Sequence, residues 1–280
     1  MKSTLYIVAT PIGHLDDCSL RAIETLKAVD VILAEDTRHS QKLLQHFGIH
    51  TPLLSCHEHN ERERSVEVIK GLGAGKSYAL ISDAGTPVFS DPGAKLVEAA
   101  HAAGFTVVPI PGACAAIAAL SASGLPGLPL HFYGFLPHQT SHKKSILEDI
   151  KASASGTIAL YESTHRLEET LQLLPQVFGD ATSIVLAKEL TKTFESITIA
   201  TANGHIAWLT EDPKRCQGEF VLLFENTVAP ETEVVSIPLD TLLTTLLQHA
   251  SLKEAVASAV TLSGLPKNKV YERALALKNL

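Results

Sequence analysis

The sequence predicts an α/β protein of two domains followed by a small helical module. Three observations predict it. Short β-rich runs alternate with helical stretches through the first half. A Pro- and Gly-rich break, Gly124-Leu-Pro-Gly-Leu-Pro129, separates that block from a second one of similar texture. Beyond Pro238 the pattern becomes wholly helical. The 280 residues, 45% apolar and 19% charged, are enough to fill two cores and argue against disorder. The expected domains are 1–122, 123–230 and 231–280.

Each element follows in order. Leu5–Ala9 (LYIVA) is a first strand that stops at Pro11-Ile-Gly. Leu20–Val29 has helical spacing. Asp30–Ala34 is a second strand, ending at Glu35-Asp36-Thr37-Arg38, and Gln41–Phe47 is a helix before Gly48. Leu53–Ser55 is a third strand, ending at HEHNE, and Arg62–Leu72 is a helix. Ser77–Ile81 is a fourth strand running into SDAGTPVFSDPG. Ala94–Ala103 is a helix with Gly104 as its stop. Phe105–Ile110 is a fifth strand, followed by Pro111-Gly112 and a small-residue helix, Ala113–Ser121. Strands alternating with helices imply a parallel sheet covered on both faces. Ligands of such sheets bind beyond the carboxyl ends of the strands, where this chain places PIGH, EDTR, HEHNE, SDAGTP and PG.

The second block opens with a strand near His131–Phe135 and a polar stretch, PHQTSHKK. A helix over Ile146–Lys151, a strand over Thr157–Tyr161 and a helix over Leu167–Val177 follow. Strands are expected at Ser183–Ala187, Thr193–Thr201 and Phe220–Phe224, forming a mixed sheet. Three helices close the chain, Leu239–Gln248, Leu252–Leu262 and Lys267–Leu277. Ser251 and Glu254 are placed for a capping box. The turn at Ser263-Gly-Leu-Pro266 gives a helix-turn-helix pattern, whose last helix carries Lys267, Lys269, Arg273 and Lys278.

Several chemistries are disfavoured. A net charge of −7 does not suit a protein that coats nucleic acid through its whole surface. The four cysteines, Cys18, Cys56, Cys114 and Cys216, form no CxxC pair, so neither a zinc ribbon nor a disulfide framework is expected. LYIVA is too short for a signal core, and no run approaches the roughly 20 apolar residues of a membrane span, so a soluble cytoplasmic protein is expected. GLGAGKS contains GKS, but Lys70 stands where a phosphate loop needs its first glycine, and GKS precedes a strand. His57 and His59 could chelate only if their strand continued, and HExxH is absent, so no metal is expected. No GxSxG elbow occurs. Cys114 opens a helix among alanines, which favours packing over nucleophilic work. What remains is a cleft of tight loops, with Asp83 and small residues on one wall, suited to a flat, partly cationic sulfonium cofactor.

YIVATPIGHLDD at 6–17, AEDTR at 34–38, HEHNE at 57–61, SDAGTPVFSDPG at 82–93, PIPGACAAIAALSASGLP at 109–126, GFLP at 134–137, YESTHR at 161–166 and KELTK at 188–192 occur in this order. Together they resemble the ribosomal RNA small-subunit methyltransferase I family of the tetrapyrrole methylase superfamily, across essentially the whole chain. The resemblance implies a tetrapyrrole-methylase-like fold with S-adenosyl-L-methionine in the cleft between two α/β domains. It implies methylation of the ribose 2′-hydroxyl of a cytidine in the decoding region of 16S rRNA, and a homodimer. Carried over, the cofactor-binding residues are Ile12, Gly13, Ser82, Asp83, Ala84, Val88, Phe89, Cys114, Ala115 and Tyr161. His14, Cys114 and Thr164 depart from the Asn, Ser and Pro usual there.

The attacking hydroxyl must lose a proton. Strand-end candidates for the base are Glu35, Asp36, His57, Glu58, Glu162 and Lys188, with none singled out. Arg38, His57, Asn60, His165, Arg166, Lys188 and Lys192 are candidates to grip RNA, which must present an unstacked nucleotide. The acidic net charge suits the assembled 30S subunit as substrate better than naked rRNA. Competing readings are a methylase of the same superfamily acting on a tetrapyrrole, another small molecule or a protein, and a ligand-sensing regulator whose last helices bind DNA.

Overall fold

A computed structural model describes residues 3–228 and 237–278. The chain divides into two compact units, Met1–Val228 and Ala229–Leu280. The expected boundary at 230/231 lies outside the described residues.

The first unit holds two five-stranded sheets. In the first, β1 (Thr4–Val8), β2 (Val31–Ala34), β3 (Leu53–Ser55), β4 (Tyr78–Ile81) and β5 (Thr106–Ile110) run parallel in the order β3-β2-β4-β1-β5. Successive side chains of β4 point to opposite faces, which fixes the two layers. Ala79 and Ile81 pack with Ala22 and Leu26 of α1 (Leu20–Ala28) and Leu44 of α2 (Thr37–His46). Tyr78 and Leu80 pack with Val68 and Leu72 of α3 (Glu61–Gly73) and Leu96 and Ala100 of α4 (Ala94–Ala102).

The second sheet is mixed, as expected. Its strands are β6 (Leu130–Phe135), β7 (Gly156–Ser163), β8 (Ser183–Lys188), β9 (Ser196–Thr201) and β10 (Glu219–Asn226), in the order β6-β7-β10-β8-β9. Only β6 and β7 are parallel. One face is covered by α6 (Thr140–Ser153), α7 (Leu167–Phe178) and α8 (Ala202–Glu211). On the other face lie Ala159, Val185, Ala187, Val221 and Leu223. There they meet Ala119 of α5 (Ala115–Ser121) and Ile12 of the loop after β1. The first half therefore caps the second sheet, and the tips of the parallel strands face it.

The strand expected from Thr193 begins at Ser196, after a turn, and three helices differ from the sequence reading. Helix α2 begins at Thr37, four residues early, because Asp36 caps it by accepting the Arg38 N–H at 2.8 Å. Helix α6 begins at Thr140, inside the polar stretch PHQTSHKK, and not at Ile146 as expected. Its Lys143 is fully buried, donating to Glu169 at 2.7 Å and to Thr170 at 3.1 Å. Helix α8 has no counterpart in the reading; Thr201 caps it by accepting the Gly204 N–H.

The second unit packs α9 (Leu239–Leu247), α10 (Leu252–Ser263) and α11 (Lys267–Lys278) around Leu243, Val256, Ala259, Val270 and Ala274. The capping box of Ser251 and Glu254 is present, and Gly264 ends α10 at φ +65°. Arg273 of α11 pairs with Asp240 of α9 at 2.7 Å, so this charge of the basic helix is engaged within the unit.

Candidate active site

The carboxyl-terminal loops of β1, β4 and β5 meet one face of the second sheet around a cavity of about 390 Å³. From the first half it is lined by Ile12, Ala84–Thr86, Phe89–Asp91, Cys114 and Ala115. From the second it is lined by Phe135, Tyr161–His165, Ala187, Leu190 and Gly218–Val221. The sequence explains why these loops hold shape. Thr10 and Gly85 exchange backbone hydrogen bonds at 2.8 and 3.1 Å, joining the first loop to the second. The buried hydroxyls of Thr10 and Ser82 donate to carbonyls of the same loop. Thr86 donates to the Ala113 carbonyl at 3.0 Å, tying in the third loop.

Two further features lock the β4 loop. Val88 and Ser90 hold φ values of +74° and +71°, which cost side-chain-bearing residues about 1–2 kcal/mol each. Between them Phe89 stacks on Phe132 of β6 at 4.0 Å, a packing contact that offsets the strain. At the far end of the loop, the buried carboxylate of Glu61 accepts the N–H groups of Gly93, Lys95 and Leu96 at 2.9–3.3 Å. It caps α4 from another element, a role for the last residue of HEHNE that the sequence reading missed.

The two halves are joined at the cavity wall. Cys114 is the N-cap of α5 but makes no side-chain capping bond. The Tyr161 hydroxyl instead accepts the Ala116 N–H at 3.2 Å. Burial, above all, pushes the Tyr161 phenol well up, so it stays protonated. Gly13 allows the opposite closure. A Cβ there would lie 2.6 Å from Lys192 Cγ and Thr191 Oγ1 and 3.0 Å from the Leu190 carbonyl. The next N–H, of His14, donates to Thr191 at 3.0 Å.

Of the residues expected to hold a cofactor, Ile12, Ala84, Phe89, Cys114, Ala115 and Tyr161 line the cavity. Gly13, Ser82, Asp83 and Val88 stand behind it. Asp83 accepts the Asp36 N–H at 3.0 Å and so couples the ends of β2 and β4.

Of the candidate bases only Glu162 lines the cavity, and its carboxylate is engaged. It accepts from Thr170 at 2.6 Å and Ser163 N–H at 2.9 Å and faces Arg166 at 3.4 Å. Lys188 is buried at the end of β8. Glu35, Asp36, His57 and Glu58 sit at the ends of β2 and β3, outside the cavity lining. Burial and then Asp83 push the Glu35 carboxyl up, whereas bonds to Arg38 hold Asp36 down at about 2.

Of the RNA candidates, His165 lines the cavity and Arg38 is exposed. Three others are committed internally. Asn60 accepts His57 N–H and donates to Ser55. Arg166 donates to the carbonyls of Leu136 and Pro137. Lys192 donates to Glu189 and Glu219 at 2.9 and 2.8 Å. Strand β3 stops at Ser55, so His57 and His59 lie in a turn, and no group among the described residues is arranged to hold a metal.

The cavity is also lined by residues that the sequence reading did not place among the cofactor, base or RNA candidates. Phe135 is 53% exposed at its edge and packs against the Tyr161 ring at 5.6 Å. Thr164, where proline was the expectation, bonds both backbone groups of Gly218 at 2.9 Å and closes the wall. Asp91 is half-buried, and its carboxyl is pushed up to about 7 by burial, then by Glu35 and Asp83.

Comparison with known proteins agrees with this architecture. Residues 4–204 match the family described as Tetrapyrrole (Corrin/Porphyrin) Methylases, and residues 234–278 match the RsmI C-terminal HTH domain. A Pseudomonas aeruginosa protein named ribosomal RNA small subunit methyltransferase I is 49% identical over 97% of this chain and 96% of its own length. A Bacillus subtilis protein of the same name is 44% identical over 96% and 92%. Among solved structures, diphthine synthase superposes with a TM-score of 0.62 at 13% identity, covering 80% of this chain and 90% of that one. Uroporphyrin-III-C-methyltransferase from Thermus thermophilus gives 0.57 at 19% identity over 81% and 96%. These two likenesses speak to the fold alone. With both segments matched and near-full-length relatives at 44–49% identity, the chain belongs to the tetrapyrrole methylases and, among them, to the ribosomal RNA small subunit methyltransferase I family.

Proposed function

We propose that this protein methylates the ribose 2′-oxygen of a cytidine in the decoding region of 16S rRNA, using S-adenosyl-L-methionine. The observation that carries the reading is the cavity itself, set at the tips of a parallel sheet and roofed by a second sheet. Its chain relatives are named for methylation of the small-subunit RNA.

The walls fit the donor. Ala84, Gly85 and Ala115 leave room for a flat adenosine, and a Cβ on Gly85 would press on Ile12 at 3.3 Å. Ile12, Phe89, Leu190 and Val221 supply apolar surface. Ile12, Ala84, Phe89, Cys114, Ala115 and Tyr161 would hold it directly, with Gly13, Ser82, Asp83 and Val88 shaping the loops behind. When bound, this donor supplies a methyl group activated on a sulfonium. A cleft that excludes water favours the loss of that charge. Alignment of the hydroxyl is the chain's main contribution to rate.

The mouth fits RNA. Phe135 exposes its ring beside the cavity, a surface on which an unstacked base can lie. His165 lines the same space, and Arg38 is exposed with its guanidinium paired to Asp36 at 3.1 Å. With a net charge of −7, the contact is local, which favours the assembled 30S particle over free rRNA. Cytoplasmic location and a homodimer belong to the same proposal. Exposed Ile199 on the edge strand β9 and exposed Phe194 in the turn before it support self-association.

The experiment is direct. Donor labelled in its methyl is incubated with 30S particles lacking the modification and with purified 16S rRNA. Label in RNA from the particles, at several times the free-RNA rate, is expected. Equal rates overturn the particle preference. Label only in an added tetrapyrrole or protein overturns the RNA assignment.

A further inference from the structure

We propose that Asp91 is the catalytic base, receiving the proton of the attacking 2′-hydroxyl. This deepens the functional reading above and rests on it. The inference comes from the carboxylates that line the cavity, which are Asp91, Glu162 and Glu219. Glu162 is engaged by Thr170, Ser163 and Arg166. Behind Thr170 stands buried Lys143, so the carboxylate is fixed by a network leading away from the cavity. Glu219 is largely exposed and is paired with Lys192 at 2.8 Å. Among the described residues, Asp91 is the cavity carboxylate with no hydrogen-bond or ion-pair partner.

Its environment suits the role. Asp91 follows Ser90, whose φ of +71° fixes the turn, and precedes Pro92, which cannot donate. Glu61, capping α4 just beyond, holds the other side of the turn. The carboxylate is thus placed by a braced loop and not by its own bonds. The charged and titratable groups around it are Glu35 at the end of β2, Asp83 at the end of β4 and Tyr161 on β7. Burial, and then the two carboxylates, make its proton affinity high for an aspartate, and the value of about 7 is one at which a base is both free and effective near neutrality. In the step, the 2′-oxygen forms a bond to the methyl carbon while the carbon–sulfur bond breaks. The bond pair stays on sulfur, leaving a neutral thioether, and the hydroxyl proton passes to the Asp91 carboxylate.

Four measurements test it. Calorimetry with S-adenosylmethionine checks that Asp91→Asn and Asp91→Glu still bind donor within about threefold of wild type, which shows a folded site. Methyl transfer to 30S particles is expected to fall at least about 100-fold in Asp91→Asn and less in Asp91→Glu. The wild-type rate should decline below neutrality, and Asp91→Asn should lose that decline. Independently of activity, a carboxyl 13C titration of Asp91 in the donor-free protein should give a midpoint near 7. An Asp91→Asn variant that binds donor and transfers within threefold of wild type, or a midpoint in the ordinary aspartate range, overturns the base while leaving the functional reading in place. A wild type that labels no RNA overturns the functional reading and the base with it.

Discussion

The hydroxyl of Tyr161 accepts the backbone N–H of Ala116 at 3.2 Å, a polar tie between the second sheet and the helix that ends the first half, beside the apolar packing of Ala119. It supplies the cap that Cys114, at the helix start, does not. Tyr161→Phe should therefore leave a helix N–H unpaired, at a cost of about 1–2 kcal/mol. Thermal melting should show a drop of roughly 2–6 °C for a chain of this size. Calorimetry should show weaker donor binding. No change in either would mean the contact does not shape the cleft.

Glu61 should matter more for stability than any surface carboxylate. Its Oε1 takes three N–H groups at the start of α4 while buried. Glu61→Ala should cost about 2–4 kcal/mol in denaturant unfolding, because charge-assisted bonds and a cap are lost together. A loss under about 0.5 kcal/mol would contradict this account of the β4 loop.

Asp91 also predicts how stability follows pH. Its carboxyl is raised from 3.8 to about 7 in the folded chain. The folded state thus binds the proton more tightly than the unfolded one. That contribution is fully present below about pH 4 and is lost as pH rises through 7. Glu35 is shifted in the same direction and adds to the trend. Asp91→Asn should accordingly melt above wild type at pH 8, by a margin that shrinks steadily towards pH 4. A margin independent of pH would show that Asp91 is solvated like any surface aspartate.

Substitution of Phe135 is expected to separate donor binding from RNA binding. Its ring is 53% exposed and rests on Tyr161. Phe135→Ala should raise the KM for 30S particles roughly tenfold, since stacking of one base contributes about 1–3 kcal/mol. Donor affinity should move by less than twofold. An equal loss of donor binding would place the ring in the donor site.

Much of this was legible in the sequence because it is written locally. Runs such as YALI are apolar on both faces, as a buried parallel strand must be, and loops such as PIGH and SDAGTP carry the glycines and prolines that strand ends need. The misses are long-range. Asp91 reads as a turn residue in Ser-Asp-Pro-Gly, and its unusual setting is made by Glu35, Asp83 and burial, which the turn itself does not contain. Asn60, Arg166 and Lys192 read as free polar groups, yet Ser55, Leu136 and Glu219 engage them. Helix α6 was read short because Gln139 provides no capping bond and its first turns are polar. What makes them helix is the burial of Lys143 against Glu169, which no spacing rule reveals.

Identifying the modified nucleoside decides whether the methyl group goes to a ribose within the small subunit. The RNA of 30S particles treated with enzyme and labelled donor is digested to nucleosides and resolved by mass spectrometry. Label in 2′-O-methylcytidine from 16S rRNA is the expected result. Label on a base ring, on another nucleoside, or absent from RNA would contradict it.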